Sequence, residues 1–384
     1  SDWSSDVCSS DLPWETYLQY GDKAMLAEHY DAMKRYLTFL DSKVKDGILN
    51  EGPLGDWLSP EGNKNDNTLF WMAYQAADLA IVSKVARVLG FTAEADNYLA
   101  QSEAKKVAFN EIYVDKTTHK TIKSGVKTGF MGPPNANAAP DVSDKGQLMD
   151  TQASYAIPLA LGTFNSTNAP HALNHLVSTV TRSNTDDQGV ARPPYSLMTG
   201  FIGTASISEA LSANGKHDIA YGLLTTKTYP SWLYSVANGA TSIWERLNSY
   251  TIENGFGGNN SMNSFNHYSF GAVAAWMYTH SLGIQRDEAS PGYQHFILQP
   301  TPDPTGQITF AKGHVETMYG TIKSEWRKNG NQTTYRFLIP ANTSAQVKLL
   351  GQKIVKGLTG VKSKTNVDRI EIELSAGQYE VIVE

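Results

Sequence analysis

From Lys23 to about Gly283 the apolar residues of this chain recur three and four positions apart, and after Ile284 they alternate. In the first region Met25, Leu26, Tyr30, Met33, Leu37 and Leu40 form one helical stripe, and Leu69, Phe70, Ala73, Ala76, Ala77 and Ala80 form another. The same spacing predicts further helices at about 92–109, 146–162, 170–182, 203–213, 216–227 and 265–282. Between them lie long polar loops rich in Gly, Pro and Asn, such as 132–140 and 183–194. Helices joined by such loops fit pairs arranged in a toroid, with the loops gathered at one end to make a site. A simple bundle needs shorter connections.

In the second region short runs of period two cover 295–298, 307–311, 314–318, 321–327, 333–339, 346–350, 370–374 and 379–383. Gly320, Asn329-Gly330-Asn331, Pro340 and Gly377 separate them as turns. The pattern predicts an antiparallel β-sandwich over 286–384, with the boundary near Arg286 to Pro291.

The first twelve residues, Ser1 to Leu12, show neither period and are read as a non-native, adapter-like leader. The only cysteine, Cys8, falls within it. A body free of cysteine excludes a disulfide framework, a thiolate nucleophile and a Cys-type zinc site, while the compartment stays open. With 384 residues, 41% hydrophobic, the chain is long enough for one large domain and a smaller one. The net charge of -6 is dispersed, so neither a nucleic acid nor a membrane surface is an expected partner. Nor does any apolar run reach transmembrane length. Eight Trp and nineteen Tyr suit carbohydrate binding and a large helical core alike.

Candidate chemistry concentrates in two neighbouring segments. Gly239-Ala240-Thr241-Ser242-Ile243-Trp244-Glu245-Arg246 sets a carboxylate between an indole and a guanidinium, and Asn263-Ser264-Phe265-Asn266-His267-Tyr268 follows one loop later. Aromatic faces stack on the apolar side of a pyranose, while Glu, Asn, His and Arg make directional contacts to hydroxyls. Glu245 is a candidate glycosidase carboxylate, or it pairs with Arg246 or caps a helix. Gly55-Asp56-Trp57-Leu58 repeats the theme. Trp57 is a stacking platform with Asp56 as hydroxyl acceptor, or the two are an Asp turn and a Trp folded onto the core. His267, at the start of the last predicted helix, is a structural histidine or a sugar contact. Tyr229-Pro230-Ser231-Trp232 is a further aromatic turn. Asp150, Gln152 and Tyr155 share a predicted helix and face a central cavity or satisfy its polar core.

Other chemistries lack their signatures. There is no HExxH, no P-loop, no dinucleotide fingerprint and no GxSxG elbow. His171 and His175 are one helical turn apart but have no carboxylate at a metalloprotease position, so no metal site is expected.

Taken in order, Pro13-Trp14, Tyr20-Gly21-Asp22, Gly55 to Leu58, Thr199-Gly200-Phe201-Ile202-Gly203-Thr204, Tyr229 to Trp232, Gly239 to Arg246 and Asn263 to Tyr268 resemble the bacterial α-L-rhamnosidases, glycoside hydrolase family 78. Tyr319-Gly320-Thr321-Ile322 and Ile339-Pro340-Ala341-Asn342-Thr343 are similar to the β-domain that follows their barrel. The resemblance runs from Pro13 to the end. It implies an (α/α)6 barrel over 13–285, inverting hydrolysis of terminal α-L-rhamnosyl groups from an oligosaccharide or glycoside, and no cofactor. It also implies that Glu245 is the general base, that Trp57 stacks on the sugar and that His267 contacts it, with Asp56, Trp244 and Asn266 beside them. Inversion places the two carboxyls roughly 6.5–9.5 Å apart, leaving room for a water.

The family's general acid lies in an Asp-Glu-Arg motif upstream of the Pro-Trp segment, and that motif is absent from this sequence. The expectation is therefore a mainly α chain with a β domain: a partial toroid and a sandwich, a C-terminal fragment with impaired hydrolysis. Two other readings stay open: another inverting enzyme on the same toroid, a glycosidase or a phosphorylase, and a non-catalytic carbohydrate-binding protein.

Overall fold

The structure, a computed structural model, describes residues 5–52, 54–62, 64–126, 144–257, 262–358, 363–366 and 368–384. The predicted loop 132–140 lies outside them. The chain divides into two compact units, one of Ser1–Leu12 with Ala27–Ala272 and the other of Pro13–Leu26 with Val273–Glu384. This division differs from a single cut near Arg286. The stretch before that residue belongs with the strands, since Ser281 and Leu282 carbonyls accept hydrogen bonds from Trp326 and Ser324.

The first unit is built mostly of helices. In chain order they are α1 (Ser5–Tyr20) and α2 (Lys23–Ser42), which both run across the division, then α3 (Asn67–Leu89), α4 (Thr92–Tyr113), α5 (Gln152–Ala160), α6 (Asn168–Thr181), α7 (Phe201–Ala213), α8 (His217–Thr225) and α9 (Trp232–Ala237). Two small hairpins punctuate them, β1 (Val44–Lys45) with β2 (Ile48–Leu49), and β3 (Asn184–Thr185) with β4 (Ala191–Arg192). Helix α3 starts where Asp66 Oδ1 accepts the Thr68 N–H at 3.0 Å and stops at Gly90, whose φ of 90° needs a residue without Cβ. Side-chain hydroxyls stitch it to α4, Ser83 Oγ on Ala95 O and Ser102 Oγ on Ala76 O, each at 2.7 Å. Buried hydroxyls that bond a neighbour's carbonyl lose little on leaving water.

Helix α5 begins at Gln152, six residues later than its apolar pattern suggests. Residues 147–149 instead bond to 121–123, through Lys123 N–H to Gln147 O and Met149 N–H to Thr121 O, both at 2.9 Å. Asp150 then turns with φ 51°, and the Thr151–Ser154 capping box starts the helix. Asp150, Gln152 and Tyr155 therefore do not share a helix. Gln152 is fully buried and holds the Thr179 and Ser196 carbonyls and the Met198 N–H, while Asp150 accepts from Lys120, Arg182 and Tyr155. These groups satisfy a polar core. His171 stacks on His119 with centroids 4.0 Å apart, and His175 Nε2 meets Thr118 O.

The segment predicted as a helix over 265–282 is regular only from Ser269. It passes through a 3₁₀ turn (Ser269–Ala272), α10 (Val273–Trp276) and a π turn (Met277–Ser281). Residues 264–267 cannot join it because their backbone bonds to 243–245.

The second unit carries the strands β5 (Ile284–Arg286), β6 (His295–Leu298), β7 (Phe310–Thr317), β8 (Gly320–Asn329), β9 (Gln332–Leu350), β10 (Ile354–Lys356), β11 (Ser363–Thr365) and β12 (Arg369–Val383). They form one hydrogen-bonded set of eight in which β10, β12, β9, β6 and β5 are successive neighbours, β7 reaches β9 through β8, and β11 pairs with β12. Pairing is antiparallel except between β6 and β9, where His295 to Leu298 run parallel to Ser344 to Val347. Alternation alone does not reveal strand direction, so the parallel pair corrects the purely antiparallel expectation.

Pro340 and Gly377, read as turns, lie inside long strands. Opposite β12 the register jumps from Ser375↔Ser344 to Gly377↔Ile339, and Pro340 sits in that bulge where no ladder N–H is required. The same bulge shifts the phase of β12, which buries Ile370, Ile372 and Leu374 before it and Val381 and Val383 after it. Trp326, Tyr335 and Phe296, fully buried, anchor the core of this unit.

Candidate active site

Two backbone segments build the centre of the site. Glu245 N–H donates to Ser264 O at 2.8 Å and His267 N–H to Ile243 O at 2.9 Å, so 243–245 and 264–267 lie side by side. The Ser242 hydroxyl adds a bond to Phe265 O. This pairing brings Trp244, Glu245, Asn266 and His267 together. Ser264 N–H donates to Glu245 Oε2 at 2.8 Å, and among the described residues this holds the carboxylate through one oxygen only. Among the described residues no ion pair joins Glu245 to Arg246, whose Nε is buried without a hydrogen-bond partner. A half-buried carboxylate with one oxygen committed can still accept a proton or a hydroxyl through the other.

Aromatic side chains of these segments and of the stretch between them pack on one another. Trp244 meets Phe265 edge to face at 5.3 Å, Phe265 meets Phe256 at 5.8 Å, and Phe256 meets Tyr250 at 5.1 Å. Asn266 is exposed, its N–H on Ser264 Oγ. His267 is half-buried, and its Nδ1 accepts the Ser269 N–H at 3.4 Å. The turn Tyr229 to Trp232 bonds to the 3₁₀ turn that follows this loop, with Trp232 Nε1 donating to Phe270 O at 2.8 Å.

Asp56 and Trp57 are linked to the His267 loop through α7. Asp56 is buried, and its two oxygens accept the Gly200 and Gly203 N–H groups, each at 2.7 Å. Burial lifts its carboxyl to about 6, against the pull of those two donors. Trp57 is half-buried, and its carbonyl accepts the Phe201 N–H at 2.9 Å. The Phe201 ring in turn stacks on His267, with centroids 4.8 Å apart and planes 24° from parallel. The acid–indole turn and the histidine loop are thus connected by one helix terminus.

Sequence reasoning missed two residues here. Phe201 is one; it sits in the Thr199 to Thr204 motif without a chemical group to draw notice. Glu61, five residues after Asp56, is the other. Its side chain is 5% exposed, Oε2 has no hydrogen-bond partner among the described residues, and Lys64 Nζ stands 3.8 Å from Oε1. Burial lifts this carboxyl to about 7, opposed by Lys64 and Arg182 and reinforced by Asp56 and Asp150. A second acid in the Asp56 loop was the available signal. Among the described residues no group of three or more His, Cys, Asp or Glu could hold a metal ion, and no helix is long and apolar enough to cross a membrane.

A family model described as the bacterial alpha-L-rhamnosidase 6 hairpin glycosidase domain matches residues 2–281. The chain belongs to the bacterial α-L-rhamnosidase family. The α-L-rhamnosidase C-terminal domain follows over 283–363. Among its relatives, an α-L-rhamnosidase of Alteromonas sp. (strain LOR) is 31% identical over 96% of this chain and 36% of its own length. Another from Formosa agariphila is 32% identical over 91% of this chain and 34% of its own length. This α-L-rhamnosidase-family chain therefore spans about a third of the length of those curated relatives.

Solved structures agree on the fold. The α-L-rhamnosidase of Streptomyces avermitilis, crystallised with L-rhamnose, superposes with a TM-score of 0.80 at 24% identity, over 98% of this chain and 32% of that one. That of Dictyoglumus thermophilum does so with a TM-score of 0.77 at 27% identity, over 97% and 38%.

Proposed function

We propose that this chain carries the general-base side of an inverting α-L-rhamnosidase, arranged as part of an (α/α)6 toroid followed by a β-sandwich. Glu245 deprotonates a water that attacks the anomeric carbon of a terminal α-L-rhamnosyl group. Trp57 stacks on the sugar, His267 and Asn266 contact its hydroxyls, and Trp244 and Asp56 shape the walls. The reading rests above all on the Glu245 carboxylate, held through Oε2 by Ser264 and unpaired with Arg246, on a segment bonded to the His267 loop. The activity named for relatives about 31% identical supports it, as does the sugar bound to a protein of the same fold.

An inverting enzyme needs a second, protonated carboxyl across the site. The family's acid motif is absent from these residues. The acid is then contributed by a longer polypeptide, and the chain by itself binds L-rhamnose without efficient hydrolysis. Calorimetric titration with L-rhamnose, paired with release of the aryl group from an aryl α-L-rhamnoside, tests this. Saturable binding with negligible turnover is expected. Turnover at an ordinary glycosidase rate by the 384-residue chain would show that its acid lies within it, and absence of any rhamnose binding would remove the sugar site.

A further inference from the structure

We propose that Phe201, the first residue of α7, is a positioning residue that sets the orientation of the His267 imidazole and ties it to the Asp56–Trp57 turn. Its relevance to catalysis rests on the reading of His267 as a sugar contact. The geometry begins at the backbone. Phe201 N–H is bonded to Trp57 O, and the glycines on either side are bonded to the two oxygens of Asp56. A side chain on either glycine would force its neighbours to shift. A Cβ at Gly200 would stand 2.2 Å from Trp57 O and 2.4 Å from Asp56 O, and one at Gly203 would stand 2.8 Å from Asp56 Oδ2. The turn is seated against the helix terminus with no room to slide, so the Phe201 backbone follows the turn.

The side chain carries this placement onward. One contact is the stack on His267, and another is the edge-to-face meeting with Phe270 at 5.4 Å and 77°. Apart from Phe201, the imidazole has the long Ser269 N–H bond to Nδ1 and a near-parallel neighbour, Tyr268, that is 76% exposed. A 3.4 Å hydrogen bond restrains a ring weakly. Because Nδ1 accepts, the neutral ring carries its proton on Nε2 and offers a donor there. Phe201 keeps the ring in the plane that maintains this tautomer. The Thr199 to Thr204 motif thereby gains a purpose: its glycines admit the Asp56–Trp57 turn, and its phenylalanine passes the position of that turn to the histidine.

The test is nitrogen NMR of the imidazoles of the 384-residue chain, with His267→Gln assigning the resonance, alongside L-rhamnose titration. In the parent chain His267 should show the Nε2–H tautomer. Phe201→Leu should move it toward a mixture and weaken L-rhamnose on the order of two- to ten-fold, whereas Phe201→Trp should restore both. Phe201→Met replaces the leucine variant if that variant does not fold. Unchanged His267 signals in the leucine or methionine variant would overturn the positioning role. If those signals move but L-rhamnose leaves His267 untouched in the parent chain, the positioning role stands and the sugar-contact reading of His267 falls.

Discussion

Glu245 and Ser264 hold each other twice, once backbone to backbone and once through the Ser264 N–H on the Glu245 carboxylate, both at 2.8 Å. The double link aims a side chain from one loop using the main chain of another. A carboxylate fixed this way loses little freedom on meeting a water, which is the preorganisation a general base requires.

Replacing Glu245 separates its roles. Glu245→Gln keeps an oxygen for the Ser264 N–H, so melting temperature and L-rhamnose affinity should stay near those of the parent. In the longer polypeptide proposed above, hydrolysis should fall by about 10² to 10⁴-fold. Glu245→Ala also loses the clamp and should cost roughly 1 kcal/mol in denaturant unfolding.

The two α7 glycines should respond unequally. At Gly200 an added Cβ meets main-chain oxygens at 2.2 and 2.4 Å, whereas at Gly203 it meets side-chain atoms at longer range, Asp56 Oδ2 at 2.8 Å and Thr199 Cβ at 2.9 Å. Gly200→Ala is expected to destabilise the helical unit by about 3 kcal/mol or more and Gly203→Ala by about 1 to 2 kcal/mol, as large and moderate members of the overpacking class. A loss under 1 kcal/mol for Gly200→Ala would contradict the close seating of Asp56 and Trp57.

Asp56 and Glu61 make stability fall as pH rises. Both carboxyls lie above their ordinary values, at about 6 and about 7, because burial disfavours their charged forms. Their protonated forms favour the fold fully below the unfolded values near 4, and that contribution disappears as pH climbs through 6 and 7. Each shift corresponds to roughly 3 kcal/mol between its extremes. Asp150 and Asp186 act in the opposite sense, their carboxyls lowered by partners that include Arg182 and Arg192, so stability is also lost at acid pH. Thermal unfolding from pH 3 to pH 8 should therefore show a maximum near pH 4 and a decline above it that levels off past about pH 7. Glu61→Gln should flatten that decline.

In the second unit Trp326 fills the core and its Nε1 donates to Ser281 O at 2.8 Å. Trp326→Phe removes that bond and opens a void, for a cost of about 2 to 4 kcal/mol in denaturant unfolding. A loss under 1 kcal/mol would mean that the core repacks around the smaller ring.

Much of the candidate site was legible because its parts are close in sequence. Trp244 and Glu245 precede Asn266 and His267 by about twenty residues, and their residue types already suit a pyranose. Helix and strand regions were equally legible, since period is a local property that a buried face imposes on its own segment. Errors came where distant backbone intervened. Residues 147–149 and 264–267 pair with other segments instead of starting helices, and the Ser375–Gly377 bulge carries β9 and β12 through positions that read as turns.

The sequence by itself determined the division into helical and sheet regions, the aromatic and acidic content of the loops, and the likeness to rhamnosidases. Only the tertiary structure decided that Asp56 spends both oxygens on Gly200 and Gly203, that Glu61 is enclosed without a partner for Oε2, and that Phe201 links Trp57 to His267. The physical reason lies in the range of the interactions. Periodicity reports which face of an element avoids water, whereas desolvation and hydrogen-bond pairing depend on groups more than a hundred residues away that meet only when the chain has folded.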